Sequence, residues 1–390
     1  MSNSNYVIRV VDSPLQIVAT AWNDLLSRQA HPTPFMRHEY LAALHRSGCA
    51  SPATGWHPCF VVLEDDVGHL QAACPLYLKT HSRGEYVFDW AWAEAYQRQG
   101  LRYYPKALIA VPFTPVPGSR LLAVDASARA ALVDAVLALC HERMLSSLHL
   151  LFGSAQDLAA CEHAGLMRRQ TVQFHWDNRS AAPYRDFDDF LAALSQDKRK
   201  KIRQERRKVR EAGVTMRHAR ADAITAADWD FFYRCYERTY LEHGNPPYLS
   251  RPFFADLARH QPASWLMFVA EREGRPIASS LIAIDEADGC RVAWGRYWGA
   301  LERVDCLHFE ACYYAPMQWC IEHGYQRFEG GAQGEHKLAR ALLPVSTDSA
   351  HWLAQPAFAQ AVEQFLARER RGVDDYVEVL QAHTPLRRGS

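Results

Sequence analysis

WLMFVAEREGRPIASSLIAIDEADGCRVAWGRYW, residues 265–298, reads as three strands in immediate succession. Trp265–Arg272, Pro276–Asp285 and Cys290–Trp298 are rich in β-branched and aromatic residues, and the turn pairs Glu273-Gly274 and Asp288-Gly289 separate them.

Working outward, helices flank this block. Val214–Ala219 is a strand, Thr225–Glu242 an amphipathic helix with Thr225 as N-cap, and Pro252–Arg259 a short helix. Downstream, Asp305–His323 is a helix closed by Gly324, and Gln326–Glu329 is a strand. The glycine-rich GGAQGEHK (330–337), a short basic helix, a last strand at His351–Ala354 and a last helix at Ala357–Arg371 follow. The order β-α-α-β-β-β-α-β-α-β predicts a mixed sheet with helices on both faces.

The first half has a similar order without sequence identity. Residues 6–11 are a strand, Leu15–Arg28 and Arg37–Arg46 helices, and Cys59–Glu64 and Leu70–Thr80 strands joined at Asp65–His69. Ala126–Leu145, Leu148–Phe152, Gln156–Ala164 and Leu166–Trp176 close it as α-β-α-β. Between them, the aromatic stretch Tyr86–Tyr104 and the proline-rich VPFTPVPGSRLL (111–122) predict a long irregular loop. Two domains are expected, 1–183 and 214–390, joined by a basic helical connector at 184–213.

That connector holds SQDKRKKIRQERRKVREAG (195–213), with nine basic and three acidic residues in a chain whose formal charge is zero. Ser195 suits an N-cap and Gly213 a C′ stop. Its apolar stripe is thin, Ile202 and Val209 one heptad apart, so most of its faces carry charge. It is either a solvated helix or a docking surface for a phosphate- or carboxylate-rich ligand.

Composition narrows the classes. The 390 residues are ordinary globular material with 48% apolar residues, and zero net charge confines any anion site to a local patch. No basic-then-apolar leader opens the sequence and no 18-residue apolar run occurs, so a cytoplasmic protein is expected. Ten scattered cysteines without a CxxC pair read as reduced thiols, and no metal spacing joins them to histidines. Walker, G-x-S-x-G and HExxH patterns are missing, so phosphate-loop, serine-elbow and zincin chemistry find no support.

The order of elements is that of the acetyltransferase (GNAT) fold. FDWAWAEAY (88–96), YYPK (103–106), VPFTPVPGSR (111–120), DKRKKIRQERRKV (197–209), EGGAQGEHKLARALLPV (329–345) and SAHWL (349–353) resemble a bacterial family of FemAB-like predicted N-acyltransferases, the peptidoglycan biosynthesis/recognition type. The resemblance implies an α/β (α+β) protein of two tandem GNAT-like folds. It also implies transfer of an acyl or aminoacyl group to a small-molecule or peptide amine. No tightly bound cofactor is expected; acyl-CoA or aminoacyl-tRNA would be the co-substrate, tRNA engaging residues 198–210. One segment departs from the GNAT pattern. GRYWGALERVDC (295–306) has Arg296 and Gly299 but no second glycine, and Glu302 adds negative charge where a pyrophosphate would lie.

Acyl transfer to an amine needs a proton acceptor, donors for an oxyanion, and a proton for the leaving group. Glu329, Glu335 and His336 are the candidate acceptors, and Tyr297 the candidate donor. Gly330, Gly331, Gln333 and Gly334 could form an anion nest, with Lys337 and Arg340 clamping a phosphate or carboxylate. Lys200, Lys201 and Arg203 would hold the donor. Trp90, Tyr104, Lys106, Thr114 and Arg120 are candidates for an acceptor groove where the domains meet, or else plain core and loop. The alternative to an enzyme is a non-catalytic GNAT scaffold that binds a peptidoglycan-like or nucleic-acid ligand through the basic helix.

Overall fold

A computed structural model describes residues 6–179, 182–286, 289–332 and 334–387. The chain divides into two compact units, Met1–Thr171 with Ser346–Asp374, and Val172–Val345 with Asp375–Ser390. The basic helix thus belongs to the second unit, and the segment 346–374, expected in the second domain, belongs to the first. Packing within the first unit explains that exchange, as described next.

The first unit contains strands β1 (Val7–Val11), β2 (Trp56–Pro58), β3 (Phe60–Glu64), β4 (Leu70–Cys74), β5 (Leu76–Lys79), β6 (Lys106–Ile109), β7 (Leu122–Ala123) and β8 (Ser147–Leu150). Its helices are α1 (Ala19–Ser27), α2 (His38–Arg46), α3 (Trp90–Arg98), α4 (Ala126–Glu142) and α5 (Ala155–His163). β1, β3, β4 and β7 form one sheet, while β2, β5, β6 and β8 lie side by side in another, with β6 and β8 parallel. The helices α4 and α5 bury Leu132, Val136, Leu158 and Cys161 against Val61, Cys74 and Leu148. The aromatic stretch forms a helix, not an irregular loop. Trp92 and Tyr96, one turn apart on α3, are buried with Val362 and Leu366. Ala350–Leu353 pair with β8. Those two contacts draw the segment 346–374 into this unit.

The second unit contains β10 (Val214–Arg220), β11 (Trp265–Arg272), β12 (Arg275–Asp285), β13 (Val292–Ala300) and β14 (Arg327–Ala332). The strands β9 (Met167–Asp177) and β15 (Leu343–Leu353) each cross the division. β10 to β13 form an antiparallel series, β14 runs parallel to β13, and β9 pairs antiparallel with β14. The three-strand block that opened the sequence is therefore the centre of this sheet. Its helices are α6 (Phe187–Ala193), α7 (Gln196–Glu211), α8 (Ala226–Glu242), α9 (Arg251–His260), α10 (Leu307–Phe309) and α11 (Ala315–Glu322). A π turn, Glu310–Tyr314, interrupts the helix expected over 305–323. The last helix, α12 (Pro356–Ala382), runs farther than expected and also crosses the division. β13 lies so close to α8 that a Cβ on Gly299 would meet the Cys235 carbonyl oxygen at 1.9 Å.

α7 is capped as a helix at both ends, with one difference from expectation. Ser195 occupies the N-cap position but its hydroxyl makes no capping bond; its backbone N–H donates to Pro385 O at 2.9 Å. Gly213 adopts φ +74° after the last turn, which glycine does without steric cost. Ile202 and Val209 are buried as the thin stripe predicted, and Glu205 between them is buried too.

Candidate active site

β13 and β14 pair only over Val292–Trp294 and Arg327–Glu329. Beyond Trp294 and Glu329 the two strands part, while β13 stays paired to β12 through a bulge between Leu281 and Ile282. The divergence leaves a cavity of about 140 Å³, lined by Gly295, Tyr297, His308, Cys312, Tyr313 and Gly330 among others. Gly330 allows the strands to part: a Cβ there would sit 2.4 Å from Leu342 Cδ2 and 3.0 Å from the Phe174 carbonyl oxygen. The π turn brings Cys312 and Tyr313 to the cavity.

Glu335–Arg340 forms a 3₁₀ turn in place of the short helix expected, and it reaches the cavity lining through His336. Lys337 Nζ donates to Gly331 O at 3.2 Å, and burial pushes its pKa down to about 8, opposed by the nearby Cys312 thiol. His336 Nε2 lies 3.2 Å from the Tyr313 hydroxyl. Burial, then Arg340 and Lys337, lowers the His336 pKa; the same groups with His336 bring His308 down to about 4. Both rings are therefore neutral near pH 7.

Of the expected catalytic residues, Tyr297 lines this cavity with its ring packed on Phe232, Tyr236 and Phe254 of α8 and α9, and His336 reaches it from the side of the π turn through Tyr313. Glu329 stands where the strands part but shares the sheet face of its register partner His175, opposite to Phe328 and Gly330. Burial lifts its carboxyl to about 7, eased by Arg327 and by a hydrogen bond with the Trp294 indole. The His175 ring lies 3.8 Å away on that face and is neutral, since burial, then Arg327 and Lys337, holds its pKa down to about 3. Gly331 and Gly334 adopt φ +75° and +100° in the loop. Gln333 and the side chain of Glu335 lie outside the described residues. His308, Cys312 and Tyr313 fall within the helix expected over 305–323, but the π turn that sets their facing is not visible in the sequence period, so the sequence does not mark them as site residues.

Arg340 does not face a ligand. It is buried, donates to Glu205 at 2.9 and 3.1 Å and to the His336 carbonyl at 2.6 Å, and stacks 3.4 Å from the centre of the Phe309 ring. Glu302, whose charge counted against a phosphate in this loop, is paired with Arg272.

The outer side of α7 borders a larger groove of about 1180 Å³. Arg199, Lys200, Arg203, Arg206, Arg207 and Arg210 line it, with Asp186, Asp188 and Glu322 also present. Lys201 is exposed but is not part of this lining. Arg206 is held by Glu310 and Gln318, both at 2.9 Å.

The expected acceptor residues occupy the first unit. Lys106 is fully buried and donates to Ser82 at 2.8 Å, to Glu85 at 2.7 Å and to Asp89. Thr114 donates to Pro112 O at 3.0 Å, and Arg120 is bound to Val116 O; both are buried. Lys106 and Thr114 act as core polar groups with internal acceptors, whereas Arg120, equally buried, keeps its Nε and Nη1 without a hydrogen-bond partner among the described residues. Tyr104 is half-buried, its hydroxyl 2.8 Å from Ser82, and Trp90 is 48% exposed. Among the described residues no cluster of three or more metal-binding side chains occurs, and no helix is long and apolar enough to cross a membrane. All ten cysteines are free.

A family model described as FemAB-like, peptidoglycan biosynthesis/recognition, matches residues 13–388. The chain belongs to the FemAB-like family. No curated protein matches the sequence. Among solved structures, FemX is similar over 91% of this chain and 100% of that one, at 10% identity and a TM-score of 0.54. The C-terminal domain (DUF2156) of a putative lysylphosphatidylglycerol synthetase from Agrobacterium fabrum is similar over 90% and 95%, at 14% identity and 0.53. L-PGS from Bacillus licheniformis is similar over 87% and 98%, at 10% identity and 0.51. At such identities the likeness is one of fold.

Proposed function

We propose that this FemAB-like protein is an N-acyltransferase that moves an aminoacyl group from aminoacyl-tRNA to an amine acceptor. The observation that carries the reading is the parting of β13 and β14, which opens a cavity bordered by Lys337's turn and lined by Tyr297 and Tyr313. In this reading the edge of β13 turned toward the gap supplies backbone N–H donors to the carbonyl oxygen as it becomes an oxyanion, with the Lys337 ammonium adding charge. His336, neutral near pH 7, takes the proton from the amine through the Tyr313 hydroxyl, and Tyr297 returns one to the leaving oxygen.

The groove along α7 favours a polyanionic donor over the compact pyrophosphate of an acyl-CoA. From Arg199 to Arg210 the cations extend about 16 Å at about 1.5 Å per residue. That matches on the order of five phosphates at about 3.4 Å of axial rise. A cytoplasmic site follows from this reading, since that is where charged tRNA is found.

The test is transfer of radiolabelled aminoacyl groups from a charged tRNA pool, and of acetyl groups from acetyl-CoA, to amine acceptors including peptidoglycan precursors. Transfer from tRNA, with kcat lowered about 100-fold or more in H336Q and Y297F while RNA binding persists, is the expected result. Transfer from acetyl-CoA alone would overturn the donor. RNA binding with no turnover from either donor would leave a binding scaffold in its place.

A further inference from the structure

Glu205 is out of character in its helix. Its neighbours Gln204, Arg206 and Arg207 border the outer groove, yet its own side chain turns inward between Ile202 and Val209. There it meets two groups at once. Arg340 makes a two-point contact with both carboxylate oxygens, and the Tyr314 hydroxyl donates to one of them. Arg340 is 98% removed from solvent and also grips the His336 carbonyl. That carbonyl immediately precedes Lys337, whose own N–H donates to Gly334 O at 2.9 Å.

We propose that Glu205 is a positioning residue: through Arg340 it fixes the Glu335–Arg340 turn, and so makes the placement of the Lys337 ammonium depend on α7, the helix that borders the polyanion groove. The inference rests on the function proposed above and adds to it a coupling between donor binding and the reacting centre. The physical basis is the two-sidedness of one rigid element. α7 is a sixteen-residue helix, and a ligand drawn to Arg199, Lys200 and Arg210 on its outside moves or stiffens the same backbone that carries Glu205. The Arg340 guanidinium transmits that change because Nη2 holds both Glu205 oxygens while Nη1 holds the His336 carbonyl, and the pair is shielded from water.

Several groups surround Lys337. Cys312 faces it from the π turn, His175 from β9, His308 from α10, and His336 and Arg340 lie on its own turn. None of them is a carboxylate. Removing the Glu205 charge frees Arg340 from α7 and loosens the turn it holds, so the buried Lys337 ammonium meets more water and its pKa rises toward the ordinary lysine value.

The full chain carries seven lysines, so lysine side-chain NMR after selective ¹⁵N labelling follows Lys337 directly. In E205Q the Lys337 titration midpoint rises by about one pH unit, while Lys79 and Lys106 stay where they were. E205D, which keeps the charge, restores the midpoint. A short RNA hairpin shifts the Lys337 resonance in the native protein and not in E205Q, although both bind it. Binding without any shift in the native protein, or an unmoved midpoint in E205Q, overturns the coupling. Failure of the native protein to bind the hairpin counts instead against the donor assignment, and the midpoint test then decides Glu205 alone. Should E205Q not fold, R340K, which keeps the charge but loses the planar guanidinium that reaches Glu205 and the His336 carbonyl together, must move the Lys337 resonance; if it does not, the proposal falls.

Discussion

The sharpest prediction concerns which cations of α7 meet the donor. Six basic side chains line the groove, but they are not equivalent. Arg206 is occupied by Glu310, which is buried, and by Gln318. Arg203 and Arg207 have acidic neighbours in Asp188 and Glu211, pairs so exposed that water screens them and a ligand phosphate can displace them. Arg199, Lys200 and Arg210 have no such neighbour among the described ion pairs. Five cations are then open to phosphates. At about 0.9 units of slope each, log affinity falls with log salt by about 4.5, and a fourfold rise in salt weakens binding about 500-fold. In R199A/K200A/R210A the slope is about 1.8, and the same rise costs only about 12-fold. Fluorescence anisotropy of a labelled RNA hairpin across a potassium chloride series reads both values. R206A behaves differently: it leaves Glu310 buried without its cation and destabilises the fold by roughly 2–3 kcal/mol. That is less than for a fully buried pair because Arg206 keeps 21% of its side chain in water. A triple variant with an unchanged slope would remove α7 from the interface, and an R206A protein as stable as the native one would refute the distinction.

Two further predictions test the reacting centre. G330A places a methyl against Leu342 and the Phe174 carbonyl, so it lowers stability by about 1–3 kcal/mol in urea unfolding and reduces turnover by narrowing the gap. Glu329 makes stability depend on pH. Its folded pKa, about 7, lies above the usual 4.5, so its contribution is fully present below about pH 4.5 and is lost as pH rises through 7. E329Q escapes that loss: its stability relative to the native protein rises by about 3 kcal/mol between pH 4.5 and 8, and a pH-independent difference in urea midpoints would show the carboxyl is not held protonated.

Much of the fold was legible because periodicity and turn residues are local. The three strands at 265–298 appear within two residues of where the sequence puts them, as do α8 and its cap Thr225. What the sequence concealed is non-local. Nothing between residues 343 and 350 announces that β15 begins eight residues before His351, because half of a strand's support comes from its neighbours. The proline-rich loop was read correctly as irregular, but Lys106, Thr114 and Arg120 looked like groove residues because charge and hydroxyl groups suggest exposure. Their acceptors, Glu85, Asp89, Pro112 and Val116, are supplied by the fold. His308 and Cys312 lay inside an expected helix, but the π turn after His308 changes which residues of that helix share a face, and that shift has no sequence period of its own.

The same contrast changes what the basic helix is for. Counted from sequence, Glu205 is one of three acids that dilute nine bases, and Arg340 is one of two cations offered to a ligand. In the structure each takes the other, and neither is available outside. A helix needing only solubility would place no carboxylate between Ile202 and Val209, where an ionised group must find partners or destabilise the fold. Glu205 finds them in Arg340 and Tyr314, both from elements bordering the cavity between β13 and β14. Because a buried ion pair adds little net stability over apolar packing, its physical value here lies in orientation: it ties the cationic groove and the Lys337 turn to one rigid element.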